Sequence, residues 1–513
     1  MTTQSVRLKQ PKKGLFNKFL NTVEGVGNKM PHPVTLFILL AVAIIFISEI
    51  AARAGLYVDF YDAKYKTEKT VAAISLLNAE GLRYMITTAT KNFTGFAPLG
   101  TVLVAMLGVG VAEGTGLINA VLKKMVLSTP KRLITAVVVF AGVMSNIASD
   151  AGYVVLVPLG AIVFLSFKRH PIAGLAAAFA GVSGGFSANL LVGTLDPLIS
   201  GITNEALTAG GIDIVIAPTS NYYFMVASTF LITILGTFVT EKIVEPRLGE
   251  YKGTVDESDS MTVSEIEKKG LRWAGIASLV FCGIMAYLTV PANAMLRVEG
   301  SLSDFTHYGL VPTIMLFFIV PGIAFGIATK SVKNDKDLVK FMSASMATMG
   351  GYLVLAFFAA QFIKYFSYTN LGIILAVSGA NFLKAIGFTG LPLVLGFIVV
   401  AGFINLFIGS ASAKWGIMAP VFIPMMYQLG LSPEFTQLAY RIGDSTTNII
   451  SPLMSYFAVI VVFAQKYDED SGIGTLISSM LPYSIVFLLG WSLLLIVWYF
   501  LGLPIGPGAG IFA

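Results

Sequence analysis

Four ionisable residues interrupt otherwise apolar stretches of the sequence: Asp150, Asp196, Arg441 and Asp444. The chain has the composition of a polytopic membrane protein, because its 513 residues are 56% hydrophobic and only 12% charged, about half the charged fraction of a typical soluble protein. A charged side chain at the centre of a bilayer costs about 2.5 to 3.5 kcal/mol on insertion scales. Such residues persist mostly where they line a cavity or pair with each other, so these four are the first candidates for a binding site.

Arg441 and Asp444 lie in the segment AYRIGDSTTNIISP, residues 439–452. Their spacing of three places both side chains on one face of a helix, where they could neutralise each other as a purely structural ion pair. Alternatively, the planar guanidinium of Arg441 binds a substrate carboxylate with two parallel hydrogen bonds. Asp444 would then orient Arg441 or exchange a proton as substrate arrives and leaves. The Ser-Thr-Thr-Asn run that follows adds donors and acceptors, which makes Asn448 a further candidate for the substrate site.

Asp196 lies in the short sequence GTLDP. The following Pro197 removes one hydrogen bond of a helix and frees an upstream carbonyl, so a helix is expected to break here. Removing a carboxyl group from water favours its protonated form. We therefore expect Asp196, together with Asp444, to carry the coupling proton. The alternative for Asp196 is a carboxylate that only caps the broken helix.

Two segments combine small polar residues with an apolar arm that ends in proline, namely SNIASDAGYVVLVP at 145–158 and IGSASAKWGIMAP at 408–420. Oxygen-bearing side chains in such segments can bind Na⁺ or the polar end of a substrate. The candidates are Asn146, Ser149, Asp150, Ser410 and Ser412. Tight packing of a hairpin tip also requires small residues, so a structural role for each serine stays open.

Trp415 lies three residues past Ser412, at the start of the second arm of this hairpin. Tryptophan in membrane proteins usually anchors a helix at the interface, and Trp491 and Trp498 fit that role. Beside a hairpin tip, the indole face of Trp415 could instead stack on an aromatic substrate. The neighbouring Lys414 is expected to extend outward to the membrane surface.

The lengths of the apolar runs predict nine full membrane crossings, since a helix needs about 20 apolar residues to span a bilayer. They cover residues 34–54, 94–116, 172–203, 221–241, 272–291, 309–328, 346–366, 433–463 and 478–503. Two further apolar blocks, 133–166 and 388–427, are interrupted by small and polar residues and predict re-entrant helical hairpins. The fold class that follows is an all-α polytopic membrane protein.

The two halves of this map share one order, a hairpin followed by a polar, interrupted span that ends in Pro-Leu. Most of the 34 Lys and Arg residues fall on one side of the membrane, which the positive-inside rule assigns to the cytoplasm together with the N-terminus. The hairpins then open from opposite sides, so the halves form an inverted repeat, as in many secondary transporters. The stretch 367–387 is expected to lie at the outer interface, with a tenth crossing as the alternative.

The predicted organisation comprises a cytoplasmic N-terminal segment (1–31), a first half (32–241), a cytoplasmic linker (242–271) and a second half (272–513). The sequence has no Walker A loop, so an ion gradient would supply the energy for transport. No nucleophile with a base and no metal-ligand spacing supports an enzyme, and neither a cofactor nor a metal is expected. The net charge of +6 reflects basic loops rather than nucleic-acid binding. A channel stays open as an alternative class.

Six motifs of the sequence resemble the AbgT (aminobenzoyl-glutamate transporter) family. They are KNFTGFAPLGTVLV (91–104), AGLAAAFAGVSGGFSANL (173–190), TEKIVEPRLG (240–249), GSASAKW (409–415), YRIGDS (440–445) and GLPIGPG (502–508). The resemblance runs from about residue 20 to the C-terminus. Within the family, the sequence is most similar to the members that export antimetabolites and sulfonamides.

The resemblance implies a bowl-shaped homodimer in the bacterial inner membrane, of the ion-transporter-superfamily type, with nine crossings and two re-entrant hairpins per subunit. It places the family's functional positions on Asp196, Ser412, Trp415, Pro433, Arg441, Asp444 and Pro452. Family members are associated with uptake of p-aminobenzoyl-glutamate or with export of p-aminobenzoate and sulfonamides. We therefore expect proton-coupled efflux of folate-pathway aromatic carboxylates. Uptake of p-aminobenzoyl-glutamate coupled to Na⁺ or H⁺ is the alternative.

Overall fold

The computed structural model describes residues 31–62, 67–148, 152–251, 263–302, 304–452, 454, 456–469 and 471–513, and these residues are mostly helical. The N-terminal segment predicted at 1–31 lies outside the described residues except for its last position, and so does the middle of the linker predicted at 242–271. The all-α prediction is confirmed for the described chain, apart from a two-stranded hairpin.

Twenty α-helices, numbered in chain order, form the described part of the bundle. They are α1 Pro33–Arg53, α2 Ala79–Thr94, α3 Ala97–Gly114, α4 Leu117–Leu127, α5 Ile134–Ser145, α6 Val157–Ser166, α7 Pro171–Phe179, α8 Leu195–Ala209, α9 Tyr222–Val239, α10 Glu245–Leu248, α11 Glu265–Thr289, α12 Leu310–Thr329, α13 Asp335–Thr348, α14 Gly350–Tyr368, α15 Leu371–Ala385, α16 Gly390–Asn405, α17 Ala411–Gln428, α18 Pro433–Asn448, α19 Phe457–Gln465 and α20 Ile473–Leu501.

Six helical stretches of the described chain are long and apolar enough to cross a membrane, or up to eight if each of two bent helix pairs counts as one span. The six are Pro33–Arg53, Ala79–Gly114, Tyr222–Leu248, Glu265–Thr289, Phe305–Thr329 and Ile473–Leu501. Six of the nine predicted crossings fall on these stretches. A seventh, at 346–366, falls on the bent pair of α13 and α14, whose axes differ by 47°.

The remaining two predicted crossings, 172–203 and 433–463, each contain a break in the helix. The first continues from α7 through a π-helical turn, Ala180–Gly184, and becomes α-helical again only at Leu195. The second ends as α18 at Asn448 and resumes as α19 at Phe457. Broken helices leave backbone donors and acceptors free at membrane depth, and such breaks are tolerated where protein or a cavity surrounds them.

The first arm of each predicted hairpin packs closely on a broken span. In the first half, α5 lies against the π-helical turn after α7, where a Cβ added to Gly142 would be 2.7 Å from the Cα of Gly181. In the second half, α16 lies against α18, where a Cβ added to Gly443 would be 2.4 Å from the carbonyl oxygen of Ile398. Only glycine allows the backbones to approach this closely.

The strands β1 Tyr57–Asp62 and β2 Thr67–Ala72 form an antiparallel hairpin that the sequence analysis did not predict. Their Tyr, Val, Phe and Thr residues favour strands, but segments this short give a weak signal within an apolar chain. The hairpin contacts α15, which occupies the ambiguous stretch at 367–387 and packs on α17. These contacts hold α15 against the bundle.

Candidate functional site

Arg441 and Asp196 form a buried ion pair between the two broken spans. The Arg441 Nη2 lies 2.6 Å from the Asp196 Oδ1, and each residue is 2% exposed. Arg441 belongs to α18, and Asp196 lies in the first turn of α8, directly after the first break. The hypothesis that Arg441 pairs with Asp444 is therefore wrong, because each of these residues has an oppositely charged partner on another helix.

The second oxygen of Asp196 binds the loop before the helix. The Gly193 N–H donates to the Asp196 Oδ2 at 2.7 Å. The alternative that Asp196 only caps the broken helix is wrong, because no side chain caps the start of α8 and Asp196 pairs with Arg441. Arg441 keeps unused donors, since its Nε and Nη1 are buried without a hydrogen-bond partner in the described chain. A guanidinium whose Nε and Nη1 groups are free can donate hydrogen bonds to a second carboxylate.

Lys414 forms a second buried ion pair. Its Nζ donates to the Asp444 Oδ1 and to the Asn405 Oδ1, and Lys414 is fully buried. The expectation that Lys414 extends outward is wrong. The reason is tertiary, because α17 packs against α8, α15 and α18, and the ammonium pairs with a carboxylate and an amide oxygen inside the bundle.

The four buried charges balance, with two carboxylates opposite one guanidinium and one ammonium. Desolvating a charge costs several kcal/mol, which a close opposite charge offsets only in good geometry. Removing one member of either pair would leave an uncompensated charge in the interior. The two broken spans also touch directly, since the Ser187 N–H donates to the Ser445 Oγ at 3.1 Å.

An asparagine at the end of each hairpin's first arm binds the neighbouring broken span. The Asn146 Nδ2 donates to the carbonyl oxygen of Val182 at 2.9 Å. In the other half, the Asn405 Nδ2 donates to the carbonyl oxygen of Asp444 and to the Asn448 Oδ1, both at 2.8 Å. Each amide donates to backbone or side-chain oxygens of the broken span, close to the point where its helix ends.

Trp415 is fully buried and stacks on Tyr440, with ring centroids 4.3 Å apart. Its indole N–H donates to the Thr203 Oγ1 at 2.9 Å, and that hydroxyl donates to the Gln437 Oε1 at 2.7 Å. The indole face predicted to stack on a substrate therefore contacts the Tyr440 ring in this structure. Through Thr203, Trp415 joins α17 to α8.

The other predicted residues lie at helix ends near these pairs. Ser410 caps α17 by accepting the Ala413 N–H, and its hydroxyl lies 3.4 Å from that of Ser412. Pro433 opens α18 at the first helical position, where a missing N–H costs nothing, and Pro452 lies within the second break. Ser149 and Asp150 lie outside the described residues.

A cavity of about 220 Å³ lies where both hairpins and both broken spans meet. Tyr153 follows the first hairpin tip and Phe186 lies in the first break. Gly409 and Ala411 come from the second hairpin tip, and Asn448 and Tyr456 flank the second break. The four predicted elements therefore converge on a single space.

Sequence reasoning missed two residues of this site. Asn405 was not a candidate, although it is a lone amide within the apolar run LPLVLGFIVVAGFIN at 391–405. Lys414 was noticed but assigned to the surface. In both cases the available signal was a polar residue in an apolar stretch, which is the criterion that found Asp196 and Arg441.

Apolar helices that break around buried ion pairs and a shared cavity are typical of membrane transporters. The model of the AbgT putative transporter family matches residues 18–513. The p-aminobenzoyl-glutamate transport protein of Escherichia coli (strain K12) is 40% identical over 503 residues, which are 97% of this chain and 98% of that protein. The chain belongs to the AbgT putative transporter family, and it is a transport protein rather than an enzyme.

Two solved transporter structures are similar to this chain. The Alcanivorax borkumensis YdaH transporter, described as having an unusual topology, matches with a TM-score of 0.88 and 46% identity over 93% of this chain and 100% of that chain. Neisseria gonorrhoeae MtrF, described as illuminating a class of antimetabolite efflux pumps, matches with a TM-score of 0.89 and 50% identity over 96% of this chain and 100% of that chain.

Proposed function

We propose that the protein is a secondary transporter of folate-pathway aromatic carboxylates, namely p-aminobenzoate, p-aminobenzoyl-glutamate and sulfonamide-like antimetabolites. The observation that carries this proposal is the buried Arg441 guanidinium, whose Nε and Nη1 have no hydrogen-bond partner in the described chain. A substrate carboxylate would accept a hydrogen bond from one of these donor groups. The described activities of the Escherichia coli relative and of MtrF support this substrate class.

We propose proton-coupled efflux as the direction and coupling, with Asp196 and Asp444 as the groups that carry the proton. Efflux is supported by the 50% identity to MtrF. The ion pairs supply the coupling, because a proton on either carboxylate removes the counter-charge of Arg441 or Lys414. A cation freed in this way must find another partner or move.

The geometry also favours a second candidate, cation-coupled uptake of p-aminobenzoyl-glutamate. A proton on Asp196 frees the Arg441 charge for a substrate carboxylate, so proton and substrate favour each other's binding. Ligands that bind together cross the membrane together. Na⁺ could take the place of the proton beside Asp444. The two candidates differ in direction and not in the residues involved.

The transmembrane arrangement proposed here has nine crossings and two re-entrant hairpins per subunit, with the halves related as an inverted repeat. Two parallels support the repeat: Asn146 and Asn405 each bind a broken span, and Gly142 and Gly443 each lie at a close contact between a hairpin arm and that span. We further propose a homodimer in the bacterial inner membrane with a cytoplasmic N-terminus.

The decisive experiment is flux of p-aminobenzoate and p-aminobenzoyl-glutamate in proteoliposomes with separately imposed pH and Na⁺ gradients. Proton-coupled efflux predicts that an inward proton gradient drives substrate outward. It also predicts that a Na⁺ gradient leaves the flux unchanged. Counterflow separates a carrier from a channel, because only a carrier is accelerated by substrate on the opposite side. Absence of flux for both compounds in every gradient would overturn the proposal.

A further inference from the structure

The cavity at the meeting point of the hairpins has one side-chain amide in its lining, that of Asn448. Asn448 lines the cavity and is 6% exposed. Its Oδ1 accepts the Asn405 Nδ2, and its own Nδ2 has no hydrogen-bond partner among the described residues. An amide whose oxygen faces Asn405 turns its NH₂ group the other way, into the cavity.

Lys414 fixes this orientation. An ammonium only donates, so the Asn405 oxygen must face the Lys414 Nζ, and the Asn405 NH₂ group must face Asn448. The Asn448 oxygen accepts from that NH₂ group, which leaves the Asn448 NH₂ group as the exposed end. Through these two amides, a buried cation presents a donor to the cavity.

The N-terminus of α17 adds further donors at the same wall. This helix of 18 residues begins at Ala411, which lines the cavity together with Gly409. Ser410 uses its side chain to cap the Ala413 N–H and its carbonyl to accept the Lys414 N–H, so the N–H groups of Ala411 and Ser412 stay without intrahelical partners. The start of a helix carries partial positive charge and favours an anion.

Three aromatic residues and Met454 form the rest of the cavity lining. Tyr153 and Tyr456 stack with ring centroids 4.7 Å apart and an angle of 2° between the rings, and Phe186 lines the cavity as well. The volume of about 220 Å³ is below the range of about 300 to 1,000 Å³ typical of sites for drug-sized ligands. The dimensions suit one aromatic ring with one acyl group.

We propose that this cavity is an aryl-carboxyl subsite, which holds the substrate ring against the tyrosine pair and its carboxylate or acyl oxygen against Asn448 and the start of α17. The proposal rests on the proposed function and names the part of the substrate bound here. Asn448 lies seven residues, about 10 Å, beyond Arg441 on α18. A second carboxylate of a longer substrate therefore points toward the guanidinium, whereas a single-ring acid is held by the subsite.

The test is calorimetric binding to the purified full-length protein in detergent, with p-aminobenzoate, benzoate, aniline and cyclohexanecarboxylate. We expect benzoate to bind and to compete with p-aminobenzoate, aniline to fail for lack of a carboxyl group, and cyclohexanecarboxylate to bind more weakly than benzoate. Asn448→Asp replaces the donor with a carboxylate and should weaken binding of both acids about tenfold or more. The control is Asn381→Asp, the same substitution at an exposed asparagine, which should leave binding unchanged.

A second variant tests the aromatic wall without changing the amides. Tyr456→Leu should reduce the preference for benzoate over cyclohexanecarboxylate about two- to tenfold, because it removes the aromatic contact and keeps the donors. Equal binding of aniline and benzoate, or unchanged benzoate affinity in Asn448→Asp, would overturn the subsite even if flux is normal. If benzoate binds as expected but neither folate-pathway compound is transported, the proposed function fails and the subsite stands.

Discussion

Removing one charge of the Arg441–Asp196 pair separates its functional role from its structural role. Both Asp196 oxygens accept hydrogen bonds, one from Arg441 at 2.6 Å and one from the Gly193 N–H at 2.7 Å. The amide in Asp196→Asn has a single acceptor oxygen, so one of these donors loses its partner and the guanidinium loses its counter-charge. Because both residues are 2% exposed, we expect a loss of about 3 to 5 kcal/mol in the free energy of unfolding.

The double variant Asp196→Leu with Arg441→Met removes both charges together. Replacing a buried pair with apolar residues is often neutral or stabilising, so its free energy of unfolding should return to within about 1 kcal/mol of wild type. Transport of p-aminobenzoyl-glutamate should remain absent, because no guanidinium is left to bind its second carboxylate. The exposed pair Lys268–Glu265 is the control, and Glu265→Gln should leave the free energy of unfolding nearly unchanged.

Two measurements are needed on each variant: reversible unfolding in mixed detergent–SDS micelles, and p-aminobenzoyl-glutamate flux in proteoliposomes. A stable double variant with wild-type flux would show that the pair only holds the core together. A stable Asp196→Asn variant with normal flux would contradict the pairing itself. Recovery of stability without recovery of flux is the result that the proposed site requires.

Lys414→Met should abolish flux and lower the free energy of unfolding by about 3 to 5 kcal/mol, measured as above, because it leaves a buried carboxylate unpaired. Gly443→Ala should lower the free energy of unfolding by about 1 to 3 kcal/mol, because the new Cβ clashes with α16. Gly275→Ala, with no atom within 4 Å of the new Cβ, should leave it unchanged. Equal effects of the two substitutions would refute the close contact. Burial lowers the pKa of His170, although two nearby carboxylates act in the opposite direction. The folded state therefore resists protonation, and stability should fall as the pH drops below about 6.5. His170→Gln should flatten that fall in unfolding curves recorded between about pH 7 and 5.

Much of the fold follows from the sequence because membrane insertion imposes strong local constraints. An apolar run of about 20 residues predicts a spanning helix, and six of the predicted crossings lie on such helices. The β1–β2 hairpin escaped prediction because its strands are short and because they pair with each other and contact α15 only in the folded chain. Helix periodicity is a local property, whereas strand pairing is not.

The candidate site shows the same division. Placing a charge in an apolar stretch costs free energy whichever residue it pairs with. The sequence alone therefore indicates Asp196, Arg441 and Asp444 as candidate site residues. It could not choose their partners, because helix spacing makes Arg441 and Asp444 neighbours and says nothing about residues on other helices. The pairs Arg441–Asp196 and Lys414–Asp444 join positions separated by 245 and 30 residues.

The sequence by itself determined that this chain is a polytopic membrane protein, that residues 172–203 and 433–463 contain breaks, and that Asp196, Arg441 and Asp444 interrupt apolar stretches. Only the tertiary structure decided that Lys414 turns inward, that Asn405 and Asn448 relay its donor to a cavity, and that Trp415 stacks on Tyr440. The physical reason is range. The cost of burying a charge belongs to one residue and its neighbours, whereas the partner that offsets that cost is brought close only when helices from both halves pack together.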